Sequence, residues 1–140
     1  MIMKWGFTGT RNPIPRVQEE AFVRLLTVAG RYGDVLHHGD CVGADEVAHI
    51  TAQGLGLGVV VHPPNVETHR AHSPGGHLLP PLPYLERNKN IVASTFRLLA
   101  LPGSSQEELR SGTWATVRYA KQMGRMVIIV WPDGRTEVTQ

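Results

Sequence analysis

Short apolar runs alternate with longer amphipathic stretches along this chain. The apolar runs predict five strands, at Lys4–Thr8, Asp34–His38, Gly58–His62, Arg97–Leu101 and Met126–Trp131. Between them, apolar residues recur with helical spacing and predict helices over Val17–Ala29, Ala44–Gln53, Tyr84–Ser94 and Thr113–Met123. Strands that alternate with helices are typical of βαβ units around a parallel sheet. The pattern therefore predicts an α/β fold with a mainly parallel five-stranded sheet and helices on both faces.

Two stretches lie outside this alternation. Pro63–Pro83 contains six of the ten prolines and is predicted to be a long irregular loop. The polar tail from Pro132 onward is predicted to be frayed. No internal repeat and no second set of elements is visible, so residues 1–140 are predicted to form one domain.

The composition is that of a globular protein, with 41% hydrophobic and 19% charged residues. No apolar run approaches the roughly 20 residues that a membrane span needs, and the N-terminus lacks the anatomy of a signal peptide. The single cysteine, Cys41, excludes an internal disulfide and is expected to be a small packing residue. We therefore expect a cytoplasmic protein without membrane contact. The net charge of +2 suits an anionic ligand but does not distinguish a nucleotide from a nucleic-acid polymer.

Three of the predicted strand-to-helix turns are rich in glycine and small polar residues. They are Thr8–Arg11, Gly39–Asp45, and the turn from Pro102 to Thr113. In a Rossmann-like sheet these turns meet at the carboxyl edge, where ligands bind. Glycine lets the backbone approach a phosphate, and the following helix N-terminus attracts anions. The sequence thus predicts a phosphate-bearing ligand there, although neither the P-loop nor the GxGxxG spacing is present.

The candidate ligand-binding residues in these turns are Gly9, Thr10, Arg11, Gly39, Asp40, Gly43, Asp45, Pro102, Gly103, Gly112, Thr113 and Trp114. Three of them have a second interpretation. Asp45 either caps its helix or contacts the ligand, and Asp40 either binds a ribose hydroxyl or stabilises the turn. Trp114 either stacks on a base or fills the crevice between helix and sheet.

The histidines give a weaker signal. His69 and His72 could bring two imidazoles to one zinc ion, but no third and fourth ligands accompany them, so no metal site is predicted. His37 and His38 alternate along a strand and should face opposite sides of the sheet. We expect one of them to reach the ligand edge and the other to lie in the core.

Several segments together resemble the SLOG superfamily, whose members include the Lonely Guy phosphoribohydrolases and DNA-processing protein A. The matching segments are Gly9–Arg11, His38–Asp45, Glu86–Asn88, and Ala100–Gly103 with Gly112–Trp114. Within this superfamily the chain looks most like the small YspA-like SLOG proteins. The resemblance implies a Rossmann-like nucleotide-binding fold, a homodimer, and ligand contacts from Arg87 and Asn88.

In the hydrolase branch a Pro-Gly-Gly-x-Gly-Thr-x-x-Glu motif accompanies an arginine that Arg87 matches. Here the motif is interrupted by an insert, Ser104–Ser111, and its glutamate is replaced by Thr116, which has no carboxylate. The insert offers Glu107 and Glu108, of which Glu108 is the candidate catalytic partner of Arg87.

Two functions follow as expectations. The first is binding of a phosphate-bearing nucleotide or nucleotide-derived small molecule, as a sensor, carrier or sponge, without a separate cofactor. The alternative is hydrolysis of an N-glycosidic bond in a nucleoside monophosphate. A third interpretation, DNA binding, is suggested only by the kinship with DNA-processing protein A and by the basic pI of about 9.0.

Overall fold

A computed structural model describes all 140 residues of the chain. Its strands are β1 (Lys4–Gly9), β2 (Val35–His38), β3 (Gly58–Val61), β4 (His77–Leu78), β5 (Arg97–Leu101), β6 (Met126–Val130) and β7 (Thr136–Thr139). Its helices are α1 (Arg16–Ala29), α2 (Ala44–Gly54), α3 (Tyr84–Ala93) and α4 (Gly112–Gln122). All strands form one sheet in the order β4-β3-β2-β1-β5-β6-β7. None of the helices combines the length and the apolar character that a membrane crossing requires.

The α/β class and the mainly parallel sheet are confirmed, but the count of five strands was wrong. The sheet has seven, because β4 and β7 extend its two edges. β4 is only two residues long and lies within the proline-rich stretch, too short for a hydrophobic pattern to reveal. β7 lies in the polar tail and pairs antiparallel with β6, with Ile128 opposite Val138. An antiparallel edge strand tolerates polar side chains, so the tail is paired rather than frayed.

Helices cover both faces of the sheet, as predicted. On one face, α1 and α2 pack Phe22 and Ala48 against Phe7 and other strand residues. On the other face, α4 packs Val117 against Leu98 and its neighbours, while α3 contributes Val92. Successive strand residues point to opposite faces, so each central strand contributes to both layers. The two layers hold the carboxyl ends of the central strands in fixed positions.

Helix α1 is also tied to the ends of β5 and β6. Gln18 is fully buried, and its Nε2 donates hydrogen bonds of 2.9 Å to the carbonyl oxygens of Pro102 and Val130. Buried backbone carbonyls need such donors once they leave the sheet ladder. The contact fixes the turn that follows β5 and leads to α4.

The stretch Pro63–Pro83 is largely irregular, but it contains β4 and a 3-10 turn at Glu67–His69, and it is fastened to the body of the protein. Asp40 accepts hydrogen bonds from Arg70 Nε (3.1 Å) and from the backbone N–H of Ser73 (3.0 Å). His49 lies 2.7 Å from the carbonyl oxygen of Pro74 through its Nε2. The stretch therefore has a defined path over the ends of β2 and β3.

Candidate functional site

A cavity of about 410 Å³ lies at the carboxyl ends of the central strands. β1 and β5 are neighbours in the sheet, yet the chain continues from β1 toward β2 and from β5 toward β6, so this is the topological switch point. The cavity volume is within the range of small-molecule sites. It is lined by most of the predicted site residues, namely Gly9, Thr10, Arg11, Gly39, Asp45, Arg87, Asn88, Gly103, Glu108, Gly112 and Thr113.

The turn after β1 lines the cavity. A Cβ atom added at Gly9 would lie 2.5 Å from the Cβ of Ala44, so only glycine allows the start of α2 to approach β1 this closely. The backbone of Thr10 bonds both neighbouring segments, because its N–H donates to Leu101 and its carbonyl accepts from Ala44. Arg11 follows with an exposed side chain that makes no ion pair or hydrogen bond. The turn thus presents a free guanidinium at the cavity.

The start of α4 presents unpaired backbone donors. Ser111 caps the helix, with its Oγ accepting from the N–H of Trp114 at 3.3 Å. The N–H groups of Gly112 and Thr113 have no intrahelical acceptor, because they lie in the first turn. Both residues line the cavity, and so does the exposed, unpaired Arg110 just before the helix. Two free N–H groups at the positive end of a helix dipole favour an anion.

The start of α2 has a buried carboxylate. Asp45 is 5% exposed and lines the cavity; its Oδ2 accepts from the N–H of Cys41 at 3.0 Å, and its Oδ1 has no hydrogen-bond partner. Burial raises the pKa of Asp45 to about 6, although the nearby Arg87 guanidinium and the Cys41 N–H partly oppose the shift. Helix capping is instead performed by Glu46, which accepts from Gly43 N–H at 3.0 Å. Asp45 therefore does not cap α2, and its Oδ2 instead bonds the turn that precedes the helix.

Arg87 belongs to α3, and its guanidinium reaches the ends of β2 and β3. Its Nη1 donates to the carbonyl oxygen of Gly39 and, at 3.2 Å, to that of His62, while its Nε bonds Asn88 at 2.7 Å. It makes no ion pair with Glu86. Arg87 lines the cavity, but most of its donors are already used by the protein. It positions the loop after β2 as well as contributing positive charge.

Four predicted site residues do not line the cavity. Asp40 has a positive φ of 55° and bonds the stretch 63–83 instead, so the turn-stabilising interpretation describes it. Gly43, with φ 92°, packs against the backbone of Arg11. Pro102 is buried in its turn. Trp114 is 3% exposed with its ring 5.6 Å from that of Trp131, and it fills the crevice between α4 and the sheet rather than facing the cavity.

The two glutamates of the insert differ in position. Glu108 lines the cavity and accepts a hydrogen bond from Ser104 Oγ at 2.7 Å. Glu107 pairs with Arg118 at 2.9 Å and lies outside it. Thr116, at the place of the motif glutamate, is buried and donates to the carbonyl oxygen of Gly112 at 2.9 Å.

The histidines form pairs away from the cavity. His37 Nδ1 lies 2.8 Å from His62 Nε2, and on the other face His38 Nε2 lies 2.8 Å from His49 Nδ1. The two strand histidines face opposite sides, as expected, but neither lines the cavity. His72 pairs with the exposed Glu67, and no group of three possible metal ligands is present.

Sequence reasoning missed two cavity residues of interest. Tyr84 opens α3 and lines the cavity, and its buried hydroxyl has no hydrogen-bond partner; Arg110 lies at the end of the insert. A signal for Tyr84 existed, since it precedes Arg87 by three residues on a predicted helix and so shares its face. Arg110 had none, because the path of an irregular insert does not follow from its sequence.

The fold recurs in several solved structures. The molybdenum cofactor binding protein of the phototrophic bacterium Rippkaea orientalis has a TM-score of 0.70 at 20% identity, covering 94% of this chain and 77% of its own. DNA processing protein A of Helicobacter pylori, described with a single-stranded DNA binding mode, gives 0.65 at 20% identity, with coverages of 91% and 64%. The molybdenum cofactor carrier protein of Chlamydomonas reinhardtii gives 0.63 at 16%, with coverages of 92% and 76%.

At the level of sequence alone, no protein-family profile and no curated protein matches the chain. Identities of 20% or less, as in these three structures, establish a shared fold.

Proposed function

From a fold shared with members of the SLOG superfamily, we propose that this protein binds a phosphate-bearing nucleotide or nucleotide-derived small molecule at the β1–β5 switch point. The observation that carries the proposal is a set of anion-binding groups in the cavity lining. Gly112 and Thr113 line the cavity with free backbone N–H groups. The same cavity is lined by two unpaired guanidinium groups, those of Arg11 and Arg110. Backbone donors at a helix start and unpaired guanidinium groups are the partners that phosphate prefers.

A binding or carrier role is also supported by the structural relatives. Two of them are named for binding or carrying molybdenum cofactor, and a third for DNA processing. A cavity of about 410 Å³ suits a small molecule. We therefore place small-molecule binding ahead of DNA binding.

A thermal-shift screen tests the proposal directly. The panel contains nucleoside monophosphates, ADP-ribose, NAD, cyclic nucleotides and a short single-stranded DNA, with product analysis of every hit. A ligand at 100 times its Kd adds about 2.7 kcal/mol to stability, which raises Tm by several degrees. A nucleotide that stabilises the protein and is recovered intact supports binding. Stabilisation by DNA alone, declining steeply with salt, would replace the proposal with DNA binding.

Gly112→Val should remove phosphate binding and leave the fold intact. A Cβ at Gly112 meets no atom within 4 Å, so the larger side chain fits, but it crowds the free N–H groups at the cavity. We expect affinity for the nucleotide found in the screen to fall at least about tenfold, as for loss of a charge-assisted hydrogen bond. Isothermal titration calorimetry measures this change.

Gly54→Val is the matched control. A Cβ added at Gly54 also meets no atom within 4 Å, but Gly54 is the last residue of α2, at the end of that helix far from the cavity. Its affinity should equal that of the wild type. Equal affinities for all three proteins would remove α4 from the site.

A second candidate function, N-glycosidic hydrolysis, is favoured by one observation: Glu108 and Arg87 line the same cavity. A carboxylate beside the sugar is what this chemistry requires. If wild-type protein releases free base from a nucleoside monophosphate, Glu108→Gln should slow the release by about 10²–10⁴-fold, the scale of general acid–base catalysis.

The neighbouring Glu107 provides the control for this test, since its carboxylate pairs with Arg118 outside the cavity. Glu107→Gln should release base at the wild-type rate. Recovery of every bound nucleotide intact from the wild-type protein rules out the hydrolase.

A further inference from the structure

The end of the sheet opposite the cavity carries four basic side chains side by side. The strands β2, β1, β5 and β6 are neighbours in that order, and strands are spaced by about 4.8 Å, so their amino ends span about 14 Å. Within four residues of the start of each strand stands one basic residue, namely Arg31, Lys4, Arg97 and Arg125. Hydrogen bonds of 2.9 Å join neighbouring segments, from the N–H of Phe96 to the carbonyl oxygen of Lys4 and from Arg125 Nε to that of Thr95.

An exposed apolar side chain accompanies each of these basic residues. Their exposed fractions lie between 44% and 91%, and in the same strand order they are Tyr32, Ile2, Phe96 and Met123. Single exposed apolar residues are ordinary, but a series on adjacent strand ends that is bordered by charges is typical of an interaction surface. We call these four basic and four apolar residues the amino-end row.

The positive charge of the amino-end row is not compensated within the protein. None of its four basic side chains forms an ion pair. The only acidic residue in these segments is Asp34, which is 3% exposed and accepts hydrogen bonds from the N–H groups of Met3 and Arg31 and from Trp5 Nε1. Acidic residues lie instead at the first turns of α1, α2 and α3, at the carboxyl end of the sheet. The amino end therefore attracts an anionic partner.

The helix ends account for only part of this charge. All four helices end at the amino end of the sheet, where their last carbonyl groups carry partial negative charge. Arg125 serves these groups, because it donates to the carbonyl oxygens of Thr95 and Met123. The side chains of Lys4 and Arg31 are exposed and make no hydrogen bond, and the Arg97 guanidinium lies over the Trp5 ring at 5.6 Å. Three of the four positive charges are therefore available to a partner.

We propose that the amino-end row binds an extended acidic peptide segment with interspersed apolar residues. Carboxylates of the segment pair with the basic side chains, and its apolar side chains cover the apolar members of the row. Recognition of acidic motifs by clustered arginines is a recurring mode of peptide binding. The complementary charge supplies specificity and the apolar contacts add affinity.

The shape and composition of the row favour a peptide over other anionic partners. A single-stranded nucleic acid stacks its bases on aromatic rings, but Ile2 and Met123 offer none. A membrane surface contacts a broad apolar face, whereas the row follows one line of strand ends. A peptide supplies carboxylates and apolar side chains along such a line.

Fluorescence anisotropy with labelled synthetic peptides tests the proposal, at a salt concentration where the Debye length is about 8 Å. The probes are Glu-Leu-Glu-Phe-Glu-Leu-Glu-Phe and its equally charged analogue Glu-Ser-Glu-Ser-Glu-Ser-Glu-Ser. We expect the apolar peptide to bind at least about tenfold more tightly, the effect of burying one large apolar side chain. Labelled oligothymidylate and vesicles containing phosphatidylserine are the competing partners.

Charge reversal locates the binding surface. Lys4→Glu combined with Arg31→Glu should weaken binding of the apolar peptide at least about tenfold, because two attractive contacts become repulsive. Arg24→Glu combined with Lys89→Glu is the matched control: both residues are exposed, unpaired and in the middle of a helix, and the net charge changes equally. The control should bind within about twofold of the wild type, because charges farther away than the Debye length are screened.

The apolar members of the row have their own test. Tyr32→Ser combined with Phe96→Ser should weaken binding of the apolar peptide and leave that of the serine peptide unchanged. Tm is recorded for every variant, and if the Arg31→Glu protein fails to fold, this second pair decides. Gly112→Val lies at the opposite end of the sheet and should bind the peptide like the wild type, so the result is independent of the nucleotide site.

Three results would overturn the proposal. The first is absence of peptide binding by the wild-type protein. The second is equal weakening by the row and control charge reversals, which would show that net charge alone attracts the peptide. The third is tighter binding of oligothymidylate or of the vesicles than of the apolar peptide, which would assign the row to a nucleic acid or to a membrane.

Discussion

Arg87→Ala is expected to lower the free energy of unfolding by about 1.5–3 kcal/mol, the scale of a hydrogen bond to a charged group. Two carbonyl oxygens, those of Gly39 and His62, would lose a donor in the buried space between α3 and the sheet. Asp45 would also lose the positive charge that opposes the effect of burial on its pKa. Urea unfolding at pH 7 measures the change, with a constant m-value as evidence that the two-state analysis holds.

A double-mutant cycle isolates the electrostatic part of this effect. Adding Asp45→Asn to Arg87→Ala removes the uncompensated carboxylate, so the double variant should be more stable than Arg87→Ala alone. Arg16→Ala is the control, because Arg16 forms only an exposed pair with Glu20 and its loss should not be measurable. An Arg87→Ala protein as stable as Arg16→Ala would show that Arg87 does not brace the loop after β2.

The second large effect is loss of stability in acid. Burial lowers the pKa of His37 and His62 to about 4 and that of His38 to about 3, from an ordinary value of 6.5. Below pH 6.5 these histidines are therefore protonated in the unfolded chain but stay neutral in the folded protein. The free energy of unfolding falls as the pH drops, until the pH reaches the pKa values of the folded state. Asp45, whose pKa is raised to about 6, binds one proton on folding and opposes the trend below that pH.

The three histidines destabilise the folded protein in acid, and Asp45 alone acts in the opposite direction. The free energy of unfolding should therefore fall by roughly 2–4 kcal/mol between pH 7 and pH 5. Urea titrations at pH 7, 6 and 5 measure it. His77→Gln, at an exposed position, should leave the pH dependence unchanged, whereas His37→Gln should make it shallower. Equal stability at pH 7 and pH 5 would contradict the buried, neutral state of these histidines.

The hydrophobic pattern predicted the regular elements of the main sheet well, because strands that are buried on both faces, such as β3 and β6, are continuous apolar runs in the sequence. Every predicted helix ends within one residue of its observed boundary, for example at Ala29 and Gly54. The edges were missed for a physical reason. A two-residue strand has no periodicity, and a polar antiparallel strand such as β7 has no apolar run.

The candidate site was partly predictable for a related reason. A parallel sheet brings its glycine turns to one edge whatever their sequence, so the cluster of Gly9, Gly39 and Gly112 follows from topology. The direction of a single side chain does not. Trp114 faces the core because that side of α4 packs on β6, and the backbone of Asp40 turns its carboxylate toward Arg70. These orientations depend on contacts between segments far apart in sequence.

The two edges of the sheet have a consequence for behaviour at high concentration. An unpaired strand edge is a template on which another chain can add a strand, the first step of ordered aggregation. At one edge, β4 offers only two residues, His77 and Leu78, beside prolines that cannot donate to a ladder. At the other edge, β7 presents polar side chains, among them the charge of Glu137. We therefore expect the folded protein to resist edge-to-edge polymerisation, so that any aggregation starts from the unfolded chain.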